Sequence, residues 1–349
     1  MHYRPLIIAL ISTGLLAGMA YAADSPPIAV DKNATSTDAD ASKATQSPTY
    51  EGWLAALKKE ALQKKISEAT LTAALDSAVL IPRVIELDRN QPEFKLTFQE
   101  YYARVASTDR VNKARELMVE HRQLLADIEK KYGVQPQYIV ALWGMETDFG
   151  RLKGNFKVID ALVTLAYDGR RSSFFRRELI EALRIIDAGH IDAANMIGSW
   201  AGAMGQTQFM PSTFTGHAVD FDGNGKINVW DSTADALASG AHYLSDSGWS
   251  HDEPWGREVR LPEKFDPIQL GFGVKKTTDE WIELGVTRLN GNALDKNALR
   301  GSLVEIDGDN KRYFLVYDNY RAVMKWNRSV LFATTAGLLG DAIAGKTED

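Results

Sequence analysis

The chain has 349 residues, 45% hydrophobic and 25% charged, a balance that suits an ordinary globular protein long enough to bury a substantial core. Its formal charge of −6 at pH 7 provides no positive field to hold nucleic acid. No cysteine occurs, which excludes disulfides, thiolate metal sites and a lipid-acceptor cysteine.

Met1 to Ala22 reads as a secretory leader: His2 and Arg4 form a polar start, Leu6 to Ala20 an apolar run, and Ala20-Tyr21-Ala22 a small-x-small cleavage site. The run is shorter than the roughly 18 residues a membrane span needs, so soluble export is favoured over a retained anchor. Cleavage removes Arg4, the leader's only charged residue, and takes the net charge from −6 to −7. Export without disulfides points to the periplasm of a Gram-negative cell. Residues 23–50, rich in Ser, Thr, Ala, Asp and Pro, bury too little surface to offset ordering entropy and read as a flexible tether.

Folded structure is expected from Glu51, where Trp53, Leu54, Leu57, Ala61, Leu62 and Ile66 recur at helical spacing. Val111 to Tyr132 reads as one helix, with Leu117, Val119, Leu124, Leu125 and Ile128 against a charged face and Gly133 as its stop. A new helix begins near Pro136, and others are expected at Phe174–Ala188 and Thr233–Ser247. Beyond Trp255 short strands are expected at Glu258–Leu261, Leu303–Ile306 and Arg312–Tyr317, the last two joined by an Asp307-Gly308-Asp309-Asn310 turn. Helix resumes from Ser329 to Ile343, and no repeat of solenoid period is visible. The fold class is mainly α (α+β), with the strands as an excursion from a helical body.

Glu146 stands as an acid in Trp143-Gly144-Met145-Glu146-Thr147-Asp148-Phe149-Gly150, at the end of the apolar helix from Pro136. The negative end of the helix dipole and the flanking Trp143, Met145 and Phe149 both raise a carboxyl pKa, as a general acid near neutral pH requires. Taken alone, the segment favours a solvated Glu or a pair with Arg151 over a catalytic acid. Ala201-Gly202-Ala203-Met204-Gly205 then suits a backbone lying close to a ligand, or a structural turn. Ser199, Gln206 and Gln208 add hydroxyl and amide groups, and Trp200, Phe209 and Tyr243 add rings, a mixture that suits a glycan. Asp220, Asp222, Asn224, Lys226 (through its carbonyl), Asn228 and Asp231 fall at the six ligand positions of a twelve-residue EF-hand loop, with Gly225 at the turn position. The expected cofactor is therefore structural Ca2+, with no organic cofactor. Asp in place of the usual final Glu predicts weaker binding, and a metal-free Asp/Asn-Gly turn is the alternative.

Five ordered motifs carry a resemblance: Asp88-Arg89-Asn90-Gln91-Pro92-Glu93-Phe94, Gly144-Met145-Glu146-Thr147, Asp160-Ala161-Leu162-Val163-Thr164-Leu165-Ala166, Gly202-Ala203-Met204-Gly205 with Gln208-Phe209-Met210-Pro211-Ser212, and Trp326-Asn327-Arg328-Ser329. From Glu51 to Gly345 the chain resembles the membrane-bound lytic transglycosylase B family of peptidoglycan-cleaving enzymes. The resemblance implies a lysozyme-like helical core over residues 119–255, an added helical region over 51–118, a small β subdomain over 256–320 and a C-terminal segment, 321–349, returning to the core. It implies Glu146 as sole acid/base, and Ser199, Gln208, Tyr243, Asn327, Tyr101, Arg170 and Arg171 as cleft positions. Phe174 and Trp326 stand where the family pattern has Tyr, which preserves stacking and loses any hydroxyl contact.

The implied reaction opens the β-1,4 bond between N-acetylmuramic acid (MurNAc) and N-acetylglucosamine (GlcNAc) with attack by the muramoyl 6-hydroxyl, leaving a 1,6-anhydroMurNAc end. The implied partners are peptidoglycan glycan strands and other cell-wall enzymes, with a monomer as the working unit and no stable membrane anchor. Two rival readings are a goose-type lysozyme-like hydrolase and a non-catalytic calcium-dependent wall-binding protein.

Overall fold

The computed structural model describes residues 49–90, 96–306 and 311–346. The leader, the tether up to residue 48, the Gln91–Phe94 part of one motif and the expected turn at 307–310 lie outside the described residues.

Helix α1 (Tyr50–Gln63) opens one residue ahead of the expected start, because the Thr49 hydroxyl accepts the Gly52 N–H and caps it. Helices α2 (Glu68–Leu75), α3 (Pro82–Arg89) and α4 (Phe98–Val105) follow. The single helix expected over Val111–Tyr132 is in fact two, α5 (Thr108–Glu120) and α6 (Arg122–Tyr132). The break falls at His121, whose N–H turns back to the Leu117 and Val119 carbonyls. Leu117 and Ile128, both buried, lie three helical turns apart, so the apolar stripe stays in phase across the break and periodicity does not reveal it. The break lets α5 pack on α14 (Val330–Ile343) while α6 packs on α11 (Thr233–Asp246). Gly133 ends α6 in the left-handed conformation, as expected.

Helix α7 (Pro136–Thr147) is buried along almost its whole length. Then come β1 (Phe156–Lys157), α8 (Val158–Asp168), α9 (Ser172–Asp187), β2 (Ile197–Gly198) and α10 (Pro211–His217). The strands β3 (Gly256–Val259), β4 (Lys276–Thr277), β5 (Arg300–Ile306) and β6 (Arg312–Val316), with α12 (Thr278–Glu283) between β4 and β5, form an antiparallel sheet of order β3-β6-β5-β4. Leu303 pairs with Leu315 and Val304 with Phe314, so the two faces of the β5–β6 hairpin feed different apolar clusters. Helix α13 (Asp318–Trp326) then carries the chain back to the helical body.

One apolar cluster joins α7, α11, α13 and α14 to the inner face of the sheet; a second joins α1–α3 to α8 and α9. Buried Asp88 helps hold the second together: its carboxylate accepts Arg170 Nε–H at 2.6 Å and also pairs with Arg171. Although burial pushes that carboxyl up, the two guanidinium groups hold it below the usual range.

Helix α14 seats α7 by presenting glycine to aromatic rings. Gly337 lies against the Trp255 ring and Gly340 against Tyr138, while Asp341 accepts Tyr138 Oη–H at 2.9 Å and Trp255 Nε1–H at 2.7 Å. A Cβ on Gly337 would overlap the indole, which its hydrogen bond to Asp341 keeps in place. Gly337→Ala therefore loses about 1–2 kcal/mol of stability, overpacking outweighing the gain of about 1 kcal/mol in helix propensity. Urea unfolding reads this directly: a lower midpoint is expected, and a raised one contradicts the packing.

Candidate active site

Glu146 sits in the last turn of α7, 9% exposed. Its Oε1 accepts Trp326 Nε1–H at 2.7 Å, while its buried Oε2 has no hydrogen-bond partner among the described residues. Burial pushes the carboxyl up to about 8, and the Trp326 hydrogen bond pulls the other way. Glu146 is thus mainly protonated at neutral pH and carries a transferable proton.

The backbone beyond Glu146 turns sharply: Asp148 and Phe149, neither a glycine, take φ of 50° and 60°. Such left-handed residues persist only when neighbours fix them. Thr147 Oγ1 donates to the Gln206 carbonyl at 2.7 Å and accepts Gly150 N–H, while Trp143 Nε1–H donates to Gln206 Oε1 at 3.0 Å. Asp148 pairs with Arg151 at 2.6 Å and with Arg110 at 3.6 Å, contacts that hold the turn locally.

Glu146 opens into a cleft of about 680 Å³ walled by α9, the 208–217 segment, α11 and the end of α13. Four of the expected substrate residues line it: Phe174, Gln208, Tyr243 and Trp326. Phe209 and Tyr243 each pack on the Trp326 ring at 5.3 Å between centroids, forming an aromatic floor beside the acid. Tyr243 Oη–H donates to the Lys325 carbonyl at 2.7 Å, and the Gln208 amide NH2 donates to the Lys153 and Gly205 carbonyls.

The other expected positions are not among the residues lining this cleft. Ser199 Oγ accepts Ala203 N–H and closes a turn; Asn327 Oδ1 accepts Ser329 N–H between α13 and α14. Tyr101 is buried on α4, and Arg170 and Arg171 are engaged by Asp88. Of the two readings the Gly-rich segment allowed, its packing fits the structural turn rather than the ligand-facing backbone. A Cβ at Gly202 would strike Leu162 and one at Gly205 would strike Val229, so both glycines allow close packing inside the protein.

Two features escaped sequence reasoning. Glu178, on the buried face of α9 with Phe175, Leu179 and Ala182, also lines the cleft; its oxygens accept Ser212 N–H at 2.9 Å and Oγ–H at 2.8 Å. An acid interrupting an apolar helical face was its signal. Asp235, fully buried in the first turn of α11, accepts the Phe221 N–H and the Asn228 N–H, each at 2.8 Å, and so pins both arms of the 220–231 loop.

Within that loop the Asp220 carboxylate accepts N–H groups from Gly223, Asn224 and Gly225, and it lies with those of Asp222 and Asp235 within 4.8 Å. Three converging carboxylates repel one another unless a cation lies between them, and an all-oxygen donor set suits hard Ca2+. Asn224 Oδ1 and Asn228 Oδ1 accept backbone N–H groups of the same loop, whereas Asp231 pairs with Lys153 at 3.0 Å.

Because Glu146 is held neutral when folded and ionises at ordinary acidity when unfolded, it costs stability increasingly as pH rises from about 4.5 to about 8. Glu146→Gln therefore unfolds at higher temperature than the wild type at pH 8, and the difference shrinks toward pH 4.5. Calorimetric melting across that range tests it; a constant difference contradicts a raised carboxyl.

Residues 49–341 match the family described as Transglycosylase SLT domain. Membrane-bound lytic murein transglycosylase B of Escherichia coli K12 is 34% identical over 215 residues, a match spanning 61% of this chain and 58% of that protein's length. The crystal structure of SltB3 from Pseudomonas aeruginosa in complex with NAG-anhNAM-pentapeptide superposes with a TM-score of 0.82 at 41% identity, covering 86% of this chain and 80% of that one. The structure of Escherichia coli lytic transglycosylase SLT35 in complex with calcium gives 0.73 at 29% identity, covering 86% and 93%. These likenesses agree with the mainly helical, lysozyme-like core expected from the sequence. The chain belongs to the transglycosylase SLT domain family.

Proposed function

We propose that the protein is a peptidoglycan lytic transglycosylase that cleaves the MurNAc-GlcNAc β-1,4 bond and leaves a 1,6-anhydroMurNAc end, with Glu146 as its single acid/base. The observation that carries this reading is a buried carboxyl raised to about 8 beside an aromatic-floored cleft. In the first half of the reaction Glu146 gives its proton to the glycosidic oxygen as the bond to the muramoyl anomeric carbon breaks. The substrate's own N-acetyl carbonyl stabilises the positive charge there. The Glu146 carboxylate then takes the proton of the muramoyl 6-hydroxyl as that oxygen bonds to the anomeric carbon, which restores the acid and consumes no water.

A second carboxylate would indicate the ordinary two-acid mechanism. Both Glu178 oxygens are occupied by Ser212, and Glu181 pairs with Arg184 at 3.3 Å, so neither is poised as a nucleophile. SltB3 is crystallised in complex with NAG-anhNAM-pentapeptide, which supports an anhydro-sugar product for the present chain. We also read the 220–231 loop as a structural EF-hand-like Ca2+ site, supported by its donor set and by the calcium complex of SLT35. A bound ion there would be held by Asp220 and Asp222 with oxygens of Asn224, Lys226, Asn228 and Asp231, and would neutralise the loop's charge. The leader at residues 1–22 supports a periplasmic location, and no described helix is long and apolar enough to cross a membrane.

Mass spectrometry of digested sacculi tests the reaction. The wild type is expected to release fragments with anhydro ends, one water lighter than reducing ends, and Glu146→Gln to lower release by about a thousandfold. Reducing ends alone would establish a hydrolase, and no release by the wild type would leave a wall-binding protein. Chelating calcium is expected to lower the melting temperature by roughly 5 °C. An unchanged melting temperature, with no metal bound at millimolar calcium, contradicts the calcium reading.

A further inference from the structure

At the far rim of the cleft, α10 ends on His217 and the last turns of α11 carry His242 and Asp246. His217 Nδ1 lies 3.1 Å and His242 Nε2 lies 3.2 Å from the same oxygen, Asp246 Oδ2. One ligand atom from each of the three residues falls within 4.8 Å of the other two. The two distances to Asp246 Oδ2 are close to the edge of a tetrahedron, about 3.3 Å, that nitrogen and oxygen ligands form around zinc.

The tautomer of His242 sharpens this. Its Nδ1 lies 2.8 Å from the His217 carbonyl oxygen, which can only accept, so Nδ1 carries the proton. Nε2 is then the ring nitrogen that faces the Asp246 carboxylate, 3.2 Å from its Oδ2. A ring N–H fixed on a backbone carbonyl, with the other nitrogen left to coordinate, is the arrangement that orients histidine toward metals. The rings are half-buried and Asp246 is exposed, so an ion has a path in from solvent.

We propose that His217, His242 and Asp246 form a binding site for a borderline divalent cation of the Zn2+ class, separate from the all-oxygen 220–231 loop. Two imidazoles and one carboxylate, with a fourth position open to water, suit zinc, whereas the loop's oxygens suit calcium. The ion clamps the end of α10 to α11. It also fixes the His217 ring, which packs edge-on against Tyr243 of the cleft floor at 4.9 Å.

Equilibrium dialysis of the full chain against Zn2+, with millimolar calcium present to fill the loop, tests the site, and Co2+ serves as an optical probe. The wild type is expected to bind one zinc per chain saturably at micromolar concentration, and its Co2+ form to show the intense visible bands of four-coordination. Asp246→Asn and His242→Ala each weaken binding roughly tenfold or more. Their thermal melting in calcium shows that both remain folded, and if one does not, the other decides. Non-saturable zinc uptake, or wild-type affinity in a folded variant, overturns the proposal.

Discussion

The structure turns on keeping one carboxyl out of water. Glu146 lies in the last turn of a helix whose length is almost wholly buried, and among the described residues only Trp326 Nε1–H satisfies it, with the second oxygen unpaired. A buried acid in that state rejects its charge, and each unit of raised pKa represents about 1.4 kcal/mol of preference for the neutral form. The cost is accepted at a place where a proton donor facing a cleft is useful, and the surrounding elements are arranged to keep the acid there.

Three supports hold that helix, one at its first turn and two at the end that carries Glu146. Helix α14 presents glycines and Asp341 to the rings that seat α7. Trp143 and Thr147 are tied to Gln206, whose own N–H reaches the Val229 carbonyl and whose amide reaches that of Trp230. Val229 and Trp230 belong to the 220–231 loop, so the loop and the helix end that carries the acid are joined by a short hydrogen-bonded path. The path ends at the sharp turn after Glu146, where two non-glycine residues hold left-handed backbone. The third support is Trp326 itself, packed against Phe209 and Tyr243.

Much of this was legible in the residues. Pro136 marked the start of α7, Gly133 the end of α6, and the Asp/Asn/Gly spacing the loop, because each rests on local backbone chemistry. The break at His121 was hidden, since an in-phase apolar stripe looks the same whether or not a helix turns to meet a new partner. The Gly202 and Gly205 backbone announced close approach without saying to what; Leu162 and Val229 answer that only in three dimensions. Arg170 and Arg171 fit a cleft pattern, yet the buried charge of Asp88 claims them. Trp326 was visible only as a substitution that removed a hydroxyl. Its indole N–H, reaching Glu146 across 180 residues of sequence, depends on the path of α13 and leaves no trace in local pattern.

The most direct test of this account is a titration of the Glu146 carboxyl itself in the folded protein, by carboxyl-carbon NMR or infrared difference spectroscopy, with Glu146→Gln identifying the signal. The account predicts a midpoint near 8, moving higher in Trp326→Phe as the N–H that favours the carboxylate is lost. A midpoint near the ordinary glutamate value, or one that Trp326→Phe leaves in place, would contradict it.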